Sequence, residues 1–441
     1  MKDDPSTTGT SSPDDIHYNL RNRNIHNNML KTDEMSPDST STNHSGSIKI
    51  LKWEINKVIL ITHINIFLYS TCFWIQNGTL PYLSKKLGVN AVWFGYLQTT
   101  FAVVQLAGGP LFGRFGDLFG GRAAMALAFV SAALSYLLLS ASTSVPILFL
   151  SRLPSIFMHA MQGGQMIVTD LGESGKRADA LGKLGLSYGV GMVLGPVLGG
   201  LITKFQGLEF AAFVAFLGSV LSICLVMMFV PKRTKKTVVE NKSGAALLDI
   251  KKWLSLIAAP GALFLLTLRI ATGIPIGIFQ SMFQVVALEK FNLPADQNGF
   301  LMAYIGILTM IVQGLGVGVL LKKVSENSIM KWASFVLVWS YLSLSFVSTI
   351  TQLCIVMAPL VVGLASQNIV ISSALTRTVD EIDTGAMLGL NMATNSLIRT
   401  VSPTIGGIML ESLGFSSFGY LGFFASGIVT FVLFVKFSGQ H

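Results

Sequence analysis

Phe210-Ala-Ala-Phe-Val-Ala-Phe-Leu-Gly-Ser-Val-Leu-Ser-Ile-Cys-Leu-Val-Met-Met-Phe-Val230 runs for 21 residues without a charged side chain. As a helix it spans about 30 Å, the thickness of a bilayer's hydrocarbon core. Six further charge-free runs follow the same rule: Lys57 to Lys85, Lys86 to Arg114, Arg122 to Arg152, Lys183 to Lys204, Asp296 to Lys322 and Glu411 to Lys436. The gap from Lys331 to Arg377 holds two such lengths. Backbone in lipid must satisfy its own hydrogen bonds, so unbroken apolar runs read as helices rather than open strands. They lack the alternation of barrel strands.

Working outward, the pattern predicts twelve spans, at about 58–77, 92–113, 122–141, 145–169, 180–203, 209–230, 260–288, 298–321, 329–349, 353–376, 385–409 and 417–436. The expected fold is an all-α membrane protein of two pseudo-symmetric six-helix bundles. Composition agrees: 51% of the 441 residues are hydrophobic and only 12% charged, where a soluble domain carries about 25%. The three cysteines, Cys72, Cys224 and Cys354, all fall inside spans and offer neither a disulfide framework nor a metal-ligand spacing.

The net charge of +9 suggests a polyanion partner until its distribution is examined. With the N-terminus inside, the inner loops carry Arg114, Arg122, Lys176, Arg177, the Lys232–Lys252 cluster, Lys322, Lys323, Lys331 and Arg377. The outer loops carry only Lys85, Lys86, Lys204 and Lys290. This is the positive-inside bias, and it places both termini in the cytoplasm, in the plasma membrane or an endomembrane, with no nucleic-acid partner. The sequon Asn77-Gly78-Thr79 falls outside in this topology, too close to the membrane for a glycan to be expected.

Residues 1–46 are rich in Ser, Thr, Asn, Asp and Pro and are expected to be a disordered cytoplasmic tail. A polar stretch at 231–259 reads as a cytoplasmic linker between bundles at 58–230 and 260–436. Within it, 247–257 fits either a surface amphipathic helix or plain linker. The two halves echo each other. Leu181-Gly182, Pro196 and Gly199-Gly200 recur as Leu388-Gly389, Pro403 and Gly406-Gly407 at an offset of 207, and Ala91 and Gly95 recur as Ala295 and Gly299 at 204. Internal duplication is a mark of transporter architecture.

Two motifs carry a mechanism. Gly113-Arg-Phe-Gly-Asp117-Leu-Phe-Gly120-Gly-Arg122 lies between the second and third spans. Its glycines permit a tight turn, and Asp117 is able to face a helix N-terminus or pair with Arg122, contacts suited to a gate. On the fifth span, Gly191-Met-Val-Leu-Gly195-Pro196-Val-Leu-Gly199-Gly200 has glycines at spacing four, which make a groove for another helix, and a proline that kinks the helix.

The loop motif resembles that of the major facilitator superfamily, although Leu118 and Gly121 stand where that family usually has basic residues. The fifth-span motif is similar to the antiporter signature of the family's proton-coupled drug exporters. Phe94-Gly-Tyr-Leu-Gln-Thr-Thr-Phe, Ser151-Arg-Leu-Pro, Thr169-Asp170-Leu and Arg399-Thr-Val-Ser-Pro-Thr narrow the resemblance to organic-cation-transporter-like members of solute carrier family 22. The resemblance implies proton-coupled antiport, in the efflux direction, of small organic cations or drugs by a monomer. The bilayer, a small organic solute and protons are then its partners, and no cofactor or metal is expected.

Ionisable residues inside membrane spans are functional candidates by default. Here they are Arg152, Arg269, Arg399, His63 and His159, while all 22 carboxylates lie in the tail, loops or span ends. Three stripes at helical spacing are predicted to face one cavity: Arg152, His159, Gly163 and Asp170; Arg269, Gly273, Gln280 and Gln284; and Asn391, Asn395, Arg399 and Ser402. His159 is the candidate proton carrier. The arginines favour organic anions as alternative substrates, and an aromatic wall of Phe73, Trp74 and Phe279 would suit a cation. A non-transporting receptor or scaffold on the same fold is the remaining alternative. An enzyme is not expected, because no nucleophile triad, metal cluster or phosphate loop is present.

The topology is testable. A single cysteine between Lys232 and Lys252 should react with a membrane-impermeant maleimide only after the inner face is exposed. Labelling from outside intact cells would overturn the orientation.

Overall fold

The computed structural model describes residues 47–50, 53–171, 177–232, 250–316, 320, 323–380 and 383–436. The expected disordered tail and residues 233–249 of the expected linker, 231–259, lie outside the described residues. A short antiparallel hairpin, β1 (Ser47–Ile50) with β2 (Trp53–Asn56), precedes the helices. The rest of the described secondary structure is helical.

α1 spans Lys57–Lys86. Ala91–Ser140 is one helical run broken only at Gly120, whose φ of 84° and ψ of 167° leave the helical region; its parts, 91–119 and 121–140, are α2 and α3. Then follow α4 (Val145–Leu150), a 3₁₀ turn (Leu153–Phe157) and α5 (Ala160–Leu171). α6 is Arg177–Gln206, α7 Leu208–Phe229 and α8 Ile250–Ala258. α9 is Ala262–Glu289, and α10, Ala295–Ile311, passes into a π-helical turn at Val312–Gly316. α11 (Glu326–Ser345), α12 (Ile350–Thr376), α13 (Thr384–Leu413) and α14 (Ser416–Lys436) complete the described helices.

The boundaries have local causes. The Asn90 side chain accepts from Trp93 N–H at 3.0 Å and starts α2. Thr349 and Gln352 cap α12 reciprocally. At Gly120 the backbone conformation is one that only glycine adopts without strain, so the turn between α2 and α3 needs no intervening loop.

Among the described residues, eight helices are long and apolar enough to cross a membrane, the 91–140 run counting as one of them. Every predicted span coincides with helical backbone, but three differ in form. The expected continuous helix at 145–169 is broken: Pro154 opens a 3₁₀ turn, and Met158 leaves helical geometry at φ −72°, ψ 59°. Proline removes a backbone donor and disfavours helix in the residue before it, and the break follows. The eighth span passes from α-helix into a wider π turn at Val312–Gly316. α1 continues nine residues past the expected end at 77, through Pro81, because Leu80 and Leu83 are buried against the core and the Tyr82 hydroxyl donates to Leu293 C=O at 2.8 Å. The sequon Asn77-Gly78-Thr79 is therefore helical, with Thr79 buried, and not an outer loop.

The usual inside-outside rule is reversed on the helix surfaces. Phe213, Leu217, Leu221 and Met228 of α7 point outward and exposed, while Ser219 and Ser222 are buried. Buried hydroxyls mostly bond back to their own helix, as Thr62 does to Val58 C=O and Ser219 to Ala215 C=O. Lipid rather than water suits this surface.

The N- and C-terminal sets of helices meet along two seams, α2 with α13 and α6 with α10. In the first, Gly95 lies against Pro403 C=O and Gly407 against Ala91 C=O. In the second, Gly299 lies against Pro196 C=O and Gly200 against Ala295 C=O. These are the repeated residues of the two halves, each paired with its opposite number, so the seams are related by a pseudo-two-fold axis. A Cβ at any of the four glycines would collide with backbone. Thr99 Oγ1 adds bonds to Thr400 C=O (3.1 Å) and Thr404 Oγ1 (2.8 Å) in one seam. Lys204 Nζ and Asp296 pair at 2.7 Å in the other. Towards the opposite end the helices separate: beside Gly113, Gly182, Gly185, Gly385 and Gly389 there is open space.

Gly95→Val or Gly299→Val should wedge this closed end. In either variant a cysteine at position 99 should react with an impermeant thiol reagent about tenfold faster than in the parent, a shift of about 1.4 kcal/mol in the open–closed balance. Unchanged labelling would remove the seam's role in closure.

Candidate functional site

Between the seams lies a cavity of about 550 Å³. Most of its wall comes from α9, α10, α12 and α13, with Trp74 and Asn77 of α1 and Met192 of α6 closing the far side. α9 places Arg269 there. The side chain is largely buried, and its Nε donates to Asn395 Oδ1 on α13 at 2.8 Å. That bond ties α9 to α13 and aims the guanidinium. One turn along α13, Arg399 also lines the cavity, is exposed within it, and has no ion pair among the described residues.

Amides fill much of the remaining polar wall. Gln280 and Gln284 follow Arg269 along α9, and Gln313, Gln367, Asn368 and Asn77 contribute from other helices. Gln367 is held by its amide donating to Ser334 Oγ at 3.0 Å. The apolar wall includes Trp74, Phe279 and Phe283, the last two packed edge-to-face at 5.3 Å. Among the described residues, no Asp, Glu or His lines it. The wall thus offers two cations and many neutral amides to a solute, with an aromatic face alongside.

Of the predicted cavity residues, Arg269, Gln280, Asn395 and Arg399 come together here. Asn391 lies outside the lining, buried, its amide donating to Ser372 Oγ at 3.1 Å. Arg152 and His159 are also outside it. Arg152 is fully buried within the N-terminal helices, and His159 packs on Phe112 at 5.4 Å. The helix break at Met158 separates these two, so the regular stripe expected from Arg152 to Asp170 does not form. Of the expected aromatic wall, Trp74 and Phe279 line the cavity, while Phe73 stacks between Tyr69 and Phe101. Sequence reasoning missed Asn77, Gln313, Gln367 and Asn368. The adjacent amides at 367–368, inside the long charge-free run that ends at Arg377, were the available signal.

The two motifs are also placed. Gly113 faces open space, Gly120 forms the break, and one Arg122 Nη donates to Met227 C=O at the end of α7, at 2.5 Å. Asp117 lies on the last turn of α2, three residues before that break. Gly191, Gly195 and Gly199 form the expected groove, and α1 fills it: their neighbours are Ser70, Thr71, Trp74 and Ile75. Pro196 and Gly200 face the other way, into the seam with α10.

The sequence pattern of the Major Facilitator Superfamily matches residues 62–384. The chain belongs to the major facilitator superfamily. It is 39% identical to solute carrier family 22 member 18 of Rattus norvegicus, over 86% of this chain and 94% of that protein. To multidrug resistance protein 2 of Bacillus subtilis (strain 168) it is 24% identical, over 82% of this chain and 91% of the other. Among solved structures, the human organic anion transporter MFSD10 superposes with a TM-score of 0.61 at 19% identity, covering 85% of this chain and 98% of that one, a likeness of fold. Two six-helix halves around a central cavity are this superfamily's architecture, and the chain is a multi-pass membrane transporter by family.

Proposed function

We propose that this superfamily member carries small organic solutes bearing an anionic or strongly accepting group, by alternating access through the cavity between its halves. One observation carries the reading: Arg269 and Arg399 enter a cavity lined, among the described residues, by no carboxylate. Arginine stays protonated at physiological pH. Like charges 4 Å apart repel by about 4 kcal/mol at an effective dielectric of 20. A bare cation therefore gains nothing near these groups, while a carboxylate, sulfonate or phosphate gains charge-assisted hydrogen bonds. The amides then select the solute's other polar groups, and Trp74, Phe279 and Phe283 take its apolar body.

The bundles at 58–230 and 260–436 are the moving bodies in this reading. The end bearing 113–122 is the cytoplasmic one, in keeping with the loop charges, and Asp117 and Arg122 serve its gate. The glycine ridge on α6 holds α1 rigidly to it, so that Pro196 and Gly200 meet α10 as a unit. With no titratable group in the wall, a coupled proton would ride on the solute's own acid group or pass through His159, whose Nε2 is buried without a partner.

The aromatic face favours a second reading, exchange of organic cations or drugs for protons, with the cation on Trp74 or Phe279. Proteoliposome uptake separates the two. With a panel of aromatic carboxylates, sulfonates and quaternary amines under an imposed pH gradient, the first reading expects anion uptake. Arg399→Gln should then lower its kcat/KM roughly 10- to 100-fold, the loss of a charged hydrogen bond. Uptake of amines alone, undiminished in Arg399→Gln, would reject it.

A further inference from the structure

Gln367 of α12 lines the central cavity and is only 2% exposed. A glutamine amide has a donor end and an acceptor end, and its surroundings decide which of them turns inward. Here a chain of bonds decides. Ser334 of α11, fully buried, donates its one hydroxyl proton to Met330 C=O at 2.8 Å. Towards Gln367 it can therefore only accept, and it takes the amide Nε2 at 3.0 Å. Close helix contact makes this bond possible. One turn earlier on α12, Gly363 packs so tightly on α11 that a Cβ would meet Leu337 Cδ2 at 2.8 Å and Ala333 C=O at 3.3 Å. The amide is thereby set with Oε1 as its remaining end, and Oε1 has no hydrogen-bond partner among the described residues.

A packing bond between α11 and α12 needs only the N–H end of this amide. The acceptor end is a buried oxygen in a cavity wall, and such an oxygen calls for a donor. Water can serve until a solute arrives, and a solute that displaces water has to return the bond. The arginines of the same wall ask for the opposite. Arg269 and Arg399 carry donors only, so they call for an acceptor. A solute that satisfies the whole wall brings both.

We propose that the carried solutes are amido acids, anions that also bear an N–H donor, and that Gln367, set by Ser334, is the residue that selects the donor. This rests on Arg269 and Arg399 taking the anionic group, as proposed for the cavity. An amide N–H gains the bond that Oε1 offers. An ester oxygen in the same place sets two acceptors against each other and leaves Oε1 unpaired, which is the costlier error.

Uptake into proteoliposomes holding the full-length chain tests this with matched pairs of phenylacetyl compounds. The amides of glycine, β-alanine and 4-aminobutyrate carry the N–H at different distances from the carboxylate. The esters of the corresponding hydroxy acids put oxygen in its place and keep ring, carboxylate and length. In the wild type, the amide of at least one pair should exceed its ester in kcat/KM by roughly 10- to 100-fold. Gln367→Met keeps the length of the side chain without either polar end, and should bring that ratio close to one. Ser334→Ala frees the amide to turn its N–H towards an ester, and should lower the ratio several-fold. Arg399→Gln should depress both members of the pair and leave their ratio standing. Equal uptake of amide and ester in all the pairs overturns the proposal, and that measurement needs no variant to fold. A ratio that survives unchanged in Gln367→Met or in Ser334→Ala overturns it too. Uptake of quaternary amines with neither carboxylate series carried is a different failure: the anion reading itself then falls, and this proposal with it.

Discussion

The two halves of this protein touch where a glycine faces a carbonyl. Gly95 against Pro403, Gly407 against Ala91, Gly299 against Pro196 and Gly200 against Ala295 bring helix backbones together more closely than any side chain permits. Without a hydrophobic drive between helices in lipid, association rests on such close packing and on the few polar bonds that accompany it. Here they are placed at one end only. Further along the same helices, Gly182 and Gly185 of α6 and Gly385 and Gly389 of α13 face open space instead. A contact made of small residues also has few side chains to unlock, which suits an interface that opens and closes.

The seams are symmetric in backbone but not in charge. Lys204 and Asp296 join α6 to α10, whereas the positions related by the internal repeat, Glu411 and Val92, cannot form such a pair. The cavity is likewise one-sided, since α9 and α13 of the C-terminal half supply both arginines. The N-terminal half keeps its own arginine, Arg152, sealed among its helices. The two halves thus share a frame and differ in where they carry their buried or cavity-facing charge.

Much of this was legible in the sequence, because a membrane writes its demands as the absence of charge. The spans follow from the hydrocarbon thickness, and the paired positions of the seams appeared as repeated Ala, Gly and Pro at constant offsets. Arg269, Gln280, Asn395 and Arg399 reach one cavity because α9 and α13 are regular where they lie, so helical spacing predicted their common face. The same reasoning failed for Arg152 and His159, where Pro154 interrupts the helix on which the stripe was drawn. Asn77 was hidden by its sequon: Asn-Gly-Thr after an apolar run reads as a loop until Leu80 and Leu83 are seen to anchor another two turns of α1. The pairing of Gly191, Gly195 and Gly199 with α1 was invisible as well, since a glycine groove does not name the helix that fills it.

In the proposed cycle the two ends of the molecule open and close in opposition around one cavity. Spin-label pairs measure it directly, one at 186 and 388 across the open end and one at 205 and 413 across the closed end, all exposed positions on α6 and α13. On adding a transported solute, the account predicts that the first distance shortens as the second lengthens. Two distances that stay fixed, or that change in the same direction, would contradict it.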